Sequence, residues 1–114
     1  MYPHERSLVK RLEQKPFALI GINSDSDRAA LKTVLAKEQI TWRSFWNGGS
    51  TNGPISNAWK VRGWPTIYVL DAKGVIRYKS VGANEGEIDA AIEKAMKLSD
   101  FKGRVVVVDF FGDW

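Results

Sequence analysis

The side chains that could do acid–base or nucleophilic chemistry are few in this sequence. Its 114 residues include no cysteine and one histidine, His4. Without cysteine there is no thiolate nucleophile, no disulfide and no sulfur ligand for a metal, and a single histidine cannot complete the usual zinc sites. We therefore predict neither a bound metal nor any other cofactor.

His4, Glu5 and Asp113 are residue types that general acid–base catalysis uses. A histidine that follows a proline at the start of a helix is usually solvated, however. We therefore predict that these three residues form no catalytic set, and we expect no catalytic residue elsewhere in the chain.

The tryptophans are a second feature with a chemical interpretation, because five is a high number for so short a chain. An aromatic rim on the edge of a site favours peptides, sugars or apolar ligands. The alternative, which we favour, is that most of the five pack in or beside the hydrophobic core. The five are Trp42, Trp46, Trp59, Trp64 and Trp114.

The composition fits one globular domain, with 44% hydrophobic and 26% charged residues. No apolar run approaches the roughly 20 residues of a membrane span, so no membrane partner is expected. The net charge of +4 comes from lysines and arginines spread along the chain, which argues against nucleic-acid binding. The start, MYPHERSLVKR, has no apolar signal-peptide region, so the sequence predicts a cytoplasmic protein.

The apolar periodicity predicts alternating helices and strands. Residues 17–23, FALIGIN, are a short continuous apolar run, and residues 104–111 hold four valines and two phenylalanines around Asp109; both fit parallel strands covered on both faces. We therefore predict an α/β fold with a central mixed sheet between layers of helices. The other predicted elements are helices at 2–16, 24–40 and 84–98, a short extended piece at 41–46, a loop and short helix at 47–61, and a hairpin at 65–80.

The residues around a single proline carry a family resemblance. Residues 61–82, VRGWPTIYVLDAKGVIRYKSVG, resemble the second half of a thioredoxin-like domain of the thiol-disulfide oxidoreductase and peroxiredoxin-related type. In that family a valine, a glycine and a cis-proline followed by threonine lead into a hairpin. The matching residues here are Val61, Gly63, Pro65 and Thr66, and the likeness continues over FALIGINSD upstream.

The end of the chain resembles the beginning of the same family. FKGRVVVVDFFGDW is similar to a segment in which a valine-rich strand and an aromatic stretch run into tryptophan and then a Cys-x-x-Cys motif. MYPHERSLVKRL resembles the helix that follows those cysteines. The halves therefore stand in rotated order, and the family's cysteines would fall between Trp114 and Met1.

Three arrangements explain this rotated order: a circular permutant, natural or engineered; a fragment cut across two tandem thioredoxin-like units; or an artificial joining. We favour the permutant, because AMKLSDFKGRV has the character of an ordinary short connection. Residues 1–114 then form one thioredoxin-like three-layer sandwich, in which 1–98 are most of the fold and 99–114 supply the permuted central strand.

The resemblance implies a vestigial active-site edge formed by Trp64, Pro65, Trp114 and Asp109. Pro65 corresponds to the family residue that contacts the substrate backbone beside the cysteines, and Trp64 would share its rim. Asp109 matches the carboxylate that some thioredoxins hold beneath the active site as a proton acceptor. Because no thiol is present, we expect Asp109 to be a half-buried relic.

Disulfide exchange needs a thiolate, which this chain cannot form. The sequence therefore predicts a redox-inactive thioredoxin-like domain, at most a module that binds an extended peptide or protein partner along the Pro65 edge. The alternative is a rearranged or incomplete copy of a thiol-disulfide oxidoreductase or peroxidase. The resemblance also qualifies the predicted compartment, because the family is often extracytoplasmic.

The resemblance also makes structural predictions. The Trp64–Pro65 bond should be cis, and the last strand should lie inside the sheet, parallel to residues 17–22. The two termini should lie within roughly 20 Å of each other. We expect a monomer, with a strand-swapped dimer as the alternative.

One prediction concerns the charge of Asp109, which follows four valines in the predicted central strand. Burial disfavours a charged carboxylate, so the pKa of Asp109 should be raised unless Lys73 or Lys79 reaches it.

Overall fold

The computed structural model describes residues 2–24, 26–82, 84–98 and 104–111. The described elements alternate helices and strands, as the periodicity predicted. In chain order they are α1 (Tyr2–Arg11), β1 (Phe17–Asn23), α2 (Arg28–Lys37), β2 (Arg43–Trp46), α3 (Pro54–Ala58), β3 (Thr66–Leu70), β4 (Ile76–Val81), α4 (Glu85–Leu98) and β5 (Val105–Phe111). Met1 and residues 112–114 lie outside the described residues. The predicted short distance between the two termini therefore stays a prediction.

The described strands form one five-stranded sheet in the order β2-β1-β5-β3-β4. β1 runs parallel to both β2 and β5, whereas β3 is antiparallel to both β5 and β4. The last described strand, β5, therefore lies in the middle of the sheet and parallel to β1, which confirms the prediction. Its valine-rich sequence suits that place, because only a central strand is covered on both faces.

The two faces of β5 contribute to two separate hydrophobic clusters. Val105 and Val107 pack with Leu8 of α1 and Ile88 of α4 on one face. Val108 and Phe110 pack on the other face, with Trp59 next to α3 against them. Successive side chains of a strand point to opposite faces, so every odd-numbered residue of β5 lies on the face that α1 and α4 cover.

The helix α2 begins later than the predicted boundary at residue 24. Its cap is Asp27, whose carboxylate accepts hydrogen bonds from the backbone N–H groups of Ala29 and Ala30. Ser24 forms hydrogen bonds with other parts of the fold. Its backbone N–H donates to the Phe111 carbonyl, and its hydroxyl accepts from the Asn47 side chain. In the described part of the chain, no helix has the length and apolar character needed to cross a membrane.

Candidate functional site

The loop before β3 has the geometry that the resemblance implied. The Trp64–Pro65 peptide bond is cis, as predicted. The Pro65 carbonyl accepts a hydrogen bond of 2.8 Å from the backbone N–H of Gly82, and the Thr66 hydroxyl donates to the Gly63 carbonyl. These bonds tie the loop to itself and to the end of β4, so Pro65 has a fixed position.

Trp64 has polar groups without hydrogen-bond partners among the described residues. Its side chain is half-buried against the cluster that contains Phe110, and its indole N–H is buried without a hydrogen-bond partner among the described residues. Nor does its backbone form a hydrogen bond within the described part of the chain. The N–H and C=O of Trp64, beside Pro65, therefore have no partner among the described residues.

Asp109 lies in β5, between Gly21 of β1 and Ile67 of β3. Asp109 is 3% exposed. The expectation that it would be half-buried is therefore wrong, because the residue is fully buried. The cause is its place in the central strand, on the face that α1 and α4 cover.

The partner of Asp109 is Glu5 of α1, a contact that was not predicted from the sequence. Glu5 is 1% exposed. Its position carries a signal that could have revealed this, since Glu5, Leu8, Val9 and Leu12 recur at the spacing of one helix face. A carboxyl group on the apolar stripe of α1 must point toward the sheet, and there it meets Asp109.

Burial sets the charge of this pair. The pKa of Glu5 is raised from 4.5 to about 10, first by desolvation and then by the charge of Asp109. Desolvation also raises the pKa of Asp109, and a hydrogen bond with Glu5 offsets part of that rise. As carboxylates, Glu5 Oε1, Glu5 Oε2 and Asp109 Oδ1 have no donor within the described residues. A proton held by Glu5 supplies that donor, so the pair retains at least one proton at neutral pH.

No lysine reaches the pair in the described structure, so the exception we allowed for Lys73 or Lys79 does not apply. Lys79 lies over the ring of Tyr68, with its Nζ 5.5 Å from the ring centre. The backbone N–H of Lys73 belongs to the hairpin turn, where it donates to Asp71. The predicted rise in the pKa of Asp109 is therefore confirmed in direction.

His4 has a structural role that the sequence analysis did not foresee. Its Nε2 lies 2.8 Å from Asp89 Oδ1, and its Nδ1 lies 3.5 Å from Glu85 Oε2. The expectation of a solvated histidine is wrong, because the side chain is only 19% exposed and links α1 to α4. Asp113 lies outside the described residues.

The tryptophans divide between the two ends of the sheet. Trp59 and Trp64 pack on the core near the Pro65 loop, and the ring of Trp59 meets that of Tyr68 edge-on at 5.0 Å. Trp46, at the end of β2, is 36% exposed. Trp42 precedes β2 and packs against the cluster that contains Leu8, as the core interpretation predicted. Trp114 lies outside the described residues.

No group of three or more histidine, aspartate or glutamate side chains is placed to hold a metal ion within the described ranges. What the described residues bring together is a cis-proline loop with unpaired backbone groups and a buried acid pair at the same end of the central strands.

The comparisons with known proteins agree with this geometry. A family model described as thioredoxin-like matches residues 2–76. No curated protein matches the sequence at a significant level.

Three solved structures share the fold at low sequence identity. A protein described as a thiol:disulfide interchange protein DsbE from Chlorobium tepidum superposes with a TM-score of 0.74 at 18% identity, over 83% of this chain and 67% of that one. A thiol-disulfide oxidoreductase from Bacteroides fragilis superposes with a TM-score of 0.68 at 21% identity, over 78% of this chain and 67% of that one. The C-terminal domain of a protein described as a thiol-disulfide oxidoreductase from Bacteroides thetaiotaomicron superposes with a TM-score of 0.73 at 19% identity, over 86% of this chain and 66% of that one. This chain therefore matches about two thirds of the length of each.

Proposed function

The chain belongs to the thioredoxin-like family, and on that premise we propose that it binds an extended segment of a protein partner along the Trp64–Pro65 edge without thiol chemistry of its own. The sequence has no cysteine, and exchange with a disulfide begins with attack by a thiolate. No other side chain replaces that nucleophile, so binding is the part of the family's activity that these residues can support.

The observation that carries the proposal is the backbone of Trp64, whose N–H and C=O have no hydrogen-bond partner among the described residues. Such groups can pair with an extended segment of a partner, and the main-chain hydrogen bonds then supply affinity without a sequence requirement. The neighbouring Pro65 is held by its bond to Gly82, so the pairing groups are preorganised. The half-buried Trp64 ring lies beside them as an apolar contact for a partner side chain.

Amide chemical-shift mapping on the labelled chain tests this proposal, with an array of short unstructured peptides as the source of probes. Peptides that bind should shift the amides of Trp64 and Thr66 in a saturable way and leave those of β2 unchanged. Trp64→Ala should weaken binding, whereas Phe45→Ala is the matched control, because Phe45 is a 49% exposed aromatic on the far edge strand. Shifts centred on β2, or equal losses in both variants, would contradict the assignment.

Activity gives an independent test. Reduction of insulin disulfides in the presence of added dithiol should proceed no faster with this chain than without it, because no thiolate can form. Turnover clearly above the protein-free rate would overturn the redox-inactive part of the proposal.

A second candidate is a rearranged or incomplete part of a thiol-disulfide oxidoreductase. It is favoured by one observation: β5 fills the centre of the sheet and carries Asp109, although it lies outside residues 2–76 that match the family model. A circular permutation accounts for that, and we retain it as a proposal. The coding sequence on either side of these 114 residues distinguishes the candidates. A Cys-x-x-Cys motif encoded shortly after β5 would support the second.

The oligomeric state tests the closed arrangement of β5. We propose a monomer in which β5 occupies its own sheet. Light scattering after size-exclusion chromatography should give the mass of one chain. A dimer that exchanges slowly on dilution would instead indicate that β5 is donated to a second copy.

A further inference from the structure

A groove lies at the end of the sheet opposite the Pro65 loop. β1, β2 and β5 are parallel, and the groove is formed where all three begin, beneath the end of α1. Its volume is about 500 Å³, within the range of small-molecule sites in proteins. The apolar part of its lining includes Val9 and Leu12 of α1, Phe17 of β1, and Trp42.

The charged residues of this groove do not cancel. Arg43, Arg104 and Glu13 line it, and none of the three forms an ion pair in the described part of the chain. Other arginines do have partners: Arg77 lies 2.8 Å from Asp71, and Arg6 lies 3.4 Å from Glu38. The groove therefore combines an apolar floor with one uncompensated positive charge.

We propose that this groove binds an amphipathic monocarboxylate. The apolar body of such a ligand packs against Trp42, Phe17 and Leu12, and its single negative charge matches the excess of one guanidinium. Arginine suits this task, because its planar group donates two parallel hydrogen bonds to a carboxylate. The charge of Glu13 disfavours dianions, and a neutral ligand of the same shape leaves the arginines unused. This site is independent of peptide binding at the Pro65 loop.

Three probes with similar apolar bodies and different heads test the proposal: decanoate, decanol and decylamine. Each is titrated into the isotope-labelled chain, with the indole N–H of Trp42 and the amides of Leu12 and Phe17 as reporters. Decanoate should give saturable shifts at these reporters, decanol should bind more weakly, and decylamine should bind most weakly of the three. Shifts at Trp64 report the other end of the sheet and keep this test separate from that of the proposed function.

Two substitutions in the groove and one outside it complete the test. Arg43→Gln and Arg104→Gln should each weaken decanoate binding roughly two- to fivefold, as expected for exposed ion pairs, and should leave decanol binding unchanged. Arg62→Gln removes an exposed arginine outside the groove and should have no effect. Equal affinities for the three probes, shifts centred elsewhere, no saturable binding, or insensitivity to both substitutions would each overturn the proposal.

Discussion

Two buried aspartates show how differently this fold treats the same carboxyl group. Asp71, at the turn between β3 and β4, is 5% exposed, and Asp109, in the middle of the sheet, is 3% exposed. The pKa of Asp71 is lowered, first by its hydrogen bond with Arg77, whereas the pKa of Asp109 is raised by burial. The exposed fraction is nearly the same, but Asp71 lies at a turn whose following residues are exposed, whereas Asp109 lies deep in the sheet, so the exposed fraction alone does not decide the charge.

The difference lies in the donors that each carboxyl group meets. Asp71 Oδ1 accepts from the backbone N–H groups of Lys73 and Val75, and its Oδ2 accepts from Arg77 Nε at 2.8 Å. Asp109 meets a second acid, Glu5, instead of a cation. A hydrogen bond to the charged form lowers an acid's pKa, and desolvation without such a bond raises it. Asp71 in the turn is therefore stabilised as a carboxylate, whereas the pair of Glu5 and Asp109 in the sheet is stabilised with a bound proton.

The largest expected effect comes from alkaline pH acting on Glu5. Its folded pKa is raised from 4.5 to about 10; the unfolded chain therefore loses this proton first, and stability falls as pH rises through that interval. Glu5→Gln removes the titrating group and keeps a donor for Asp109. At about pH 9 it should be more stable than the wild type by on the order of 1–4 kcal/mol. Urea unfolding across pH measures this, and a parallel decline in both proteins would contradict the account.

The same substitution at the two aspartates should have opposite signs. Asp109→Asn removes a buried acid with a raised pKa and should stabilise the protein at neutral pH by roughly 1–2 kcal/mol. Asp71→Asn removes the charge that Arg77 and two backbone N–H groups stabilise, so the melting temperature should fall. Because the pKa of Asp71 is lowered, its contribution is present above 3.8 and is lost as the pH falls through the folded value. Thermal unfolding of both variants should show changes of opposite direction; a shared direction would remove the contrast.

The smallest expected effect is that of Arg77→Gln. The Arg77 side chain is 46% exposed, and exposed ion pairs contribute little. The melting temperature should fall less than in Asp71→Asn, because the backbone donors of the turn remain. Arg62→Gln is the matched control for loss of one surface arginine, and we expect no change there. A fall equal to that of Asp71→Asn would mean that the ion pair, and not the turn, stabilises Asp71.

The sequence predicted what depends on neighbouring residues and on apolar runs. The turn at Asp71 follows from DAKG between two β-branched strands, and the central place of β5 follows from four consecutive valines. Family resemblance, rather than local preference, predicted the cis bond at Pro65.

Contacts between distant parts of the chain were harder to predict. Glu5 and Asp109 come from opposite ends of the sequence, and only the packing of α1 on β5 brings them together. The end of the sheet at which Trp42 lies also depends on a distant contact, because it follows from the parallel pairing of β2 with β1.

A carboxyl-carbon NMR titration tests the central claim most directly, since it reports the charge of each acid separately. On the isotope-labelled chain, Asp71 should already be ionised at a pH below 3.8, whereas Glu5 should keep its proton through neutral pH and titrate near 10. A Glu5 carboxyl signal that titrates at or below 4.5 would show a solvated or cation-paired group. That result would contradict the buried acid pair beneath the Pro65 edge.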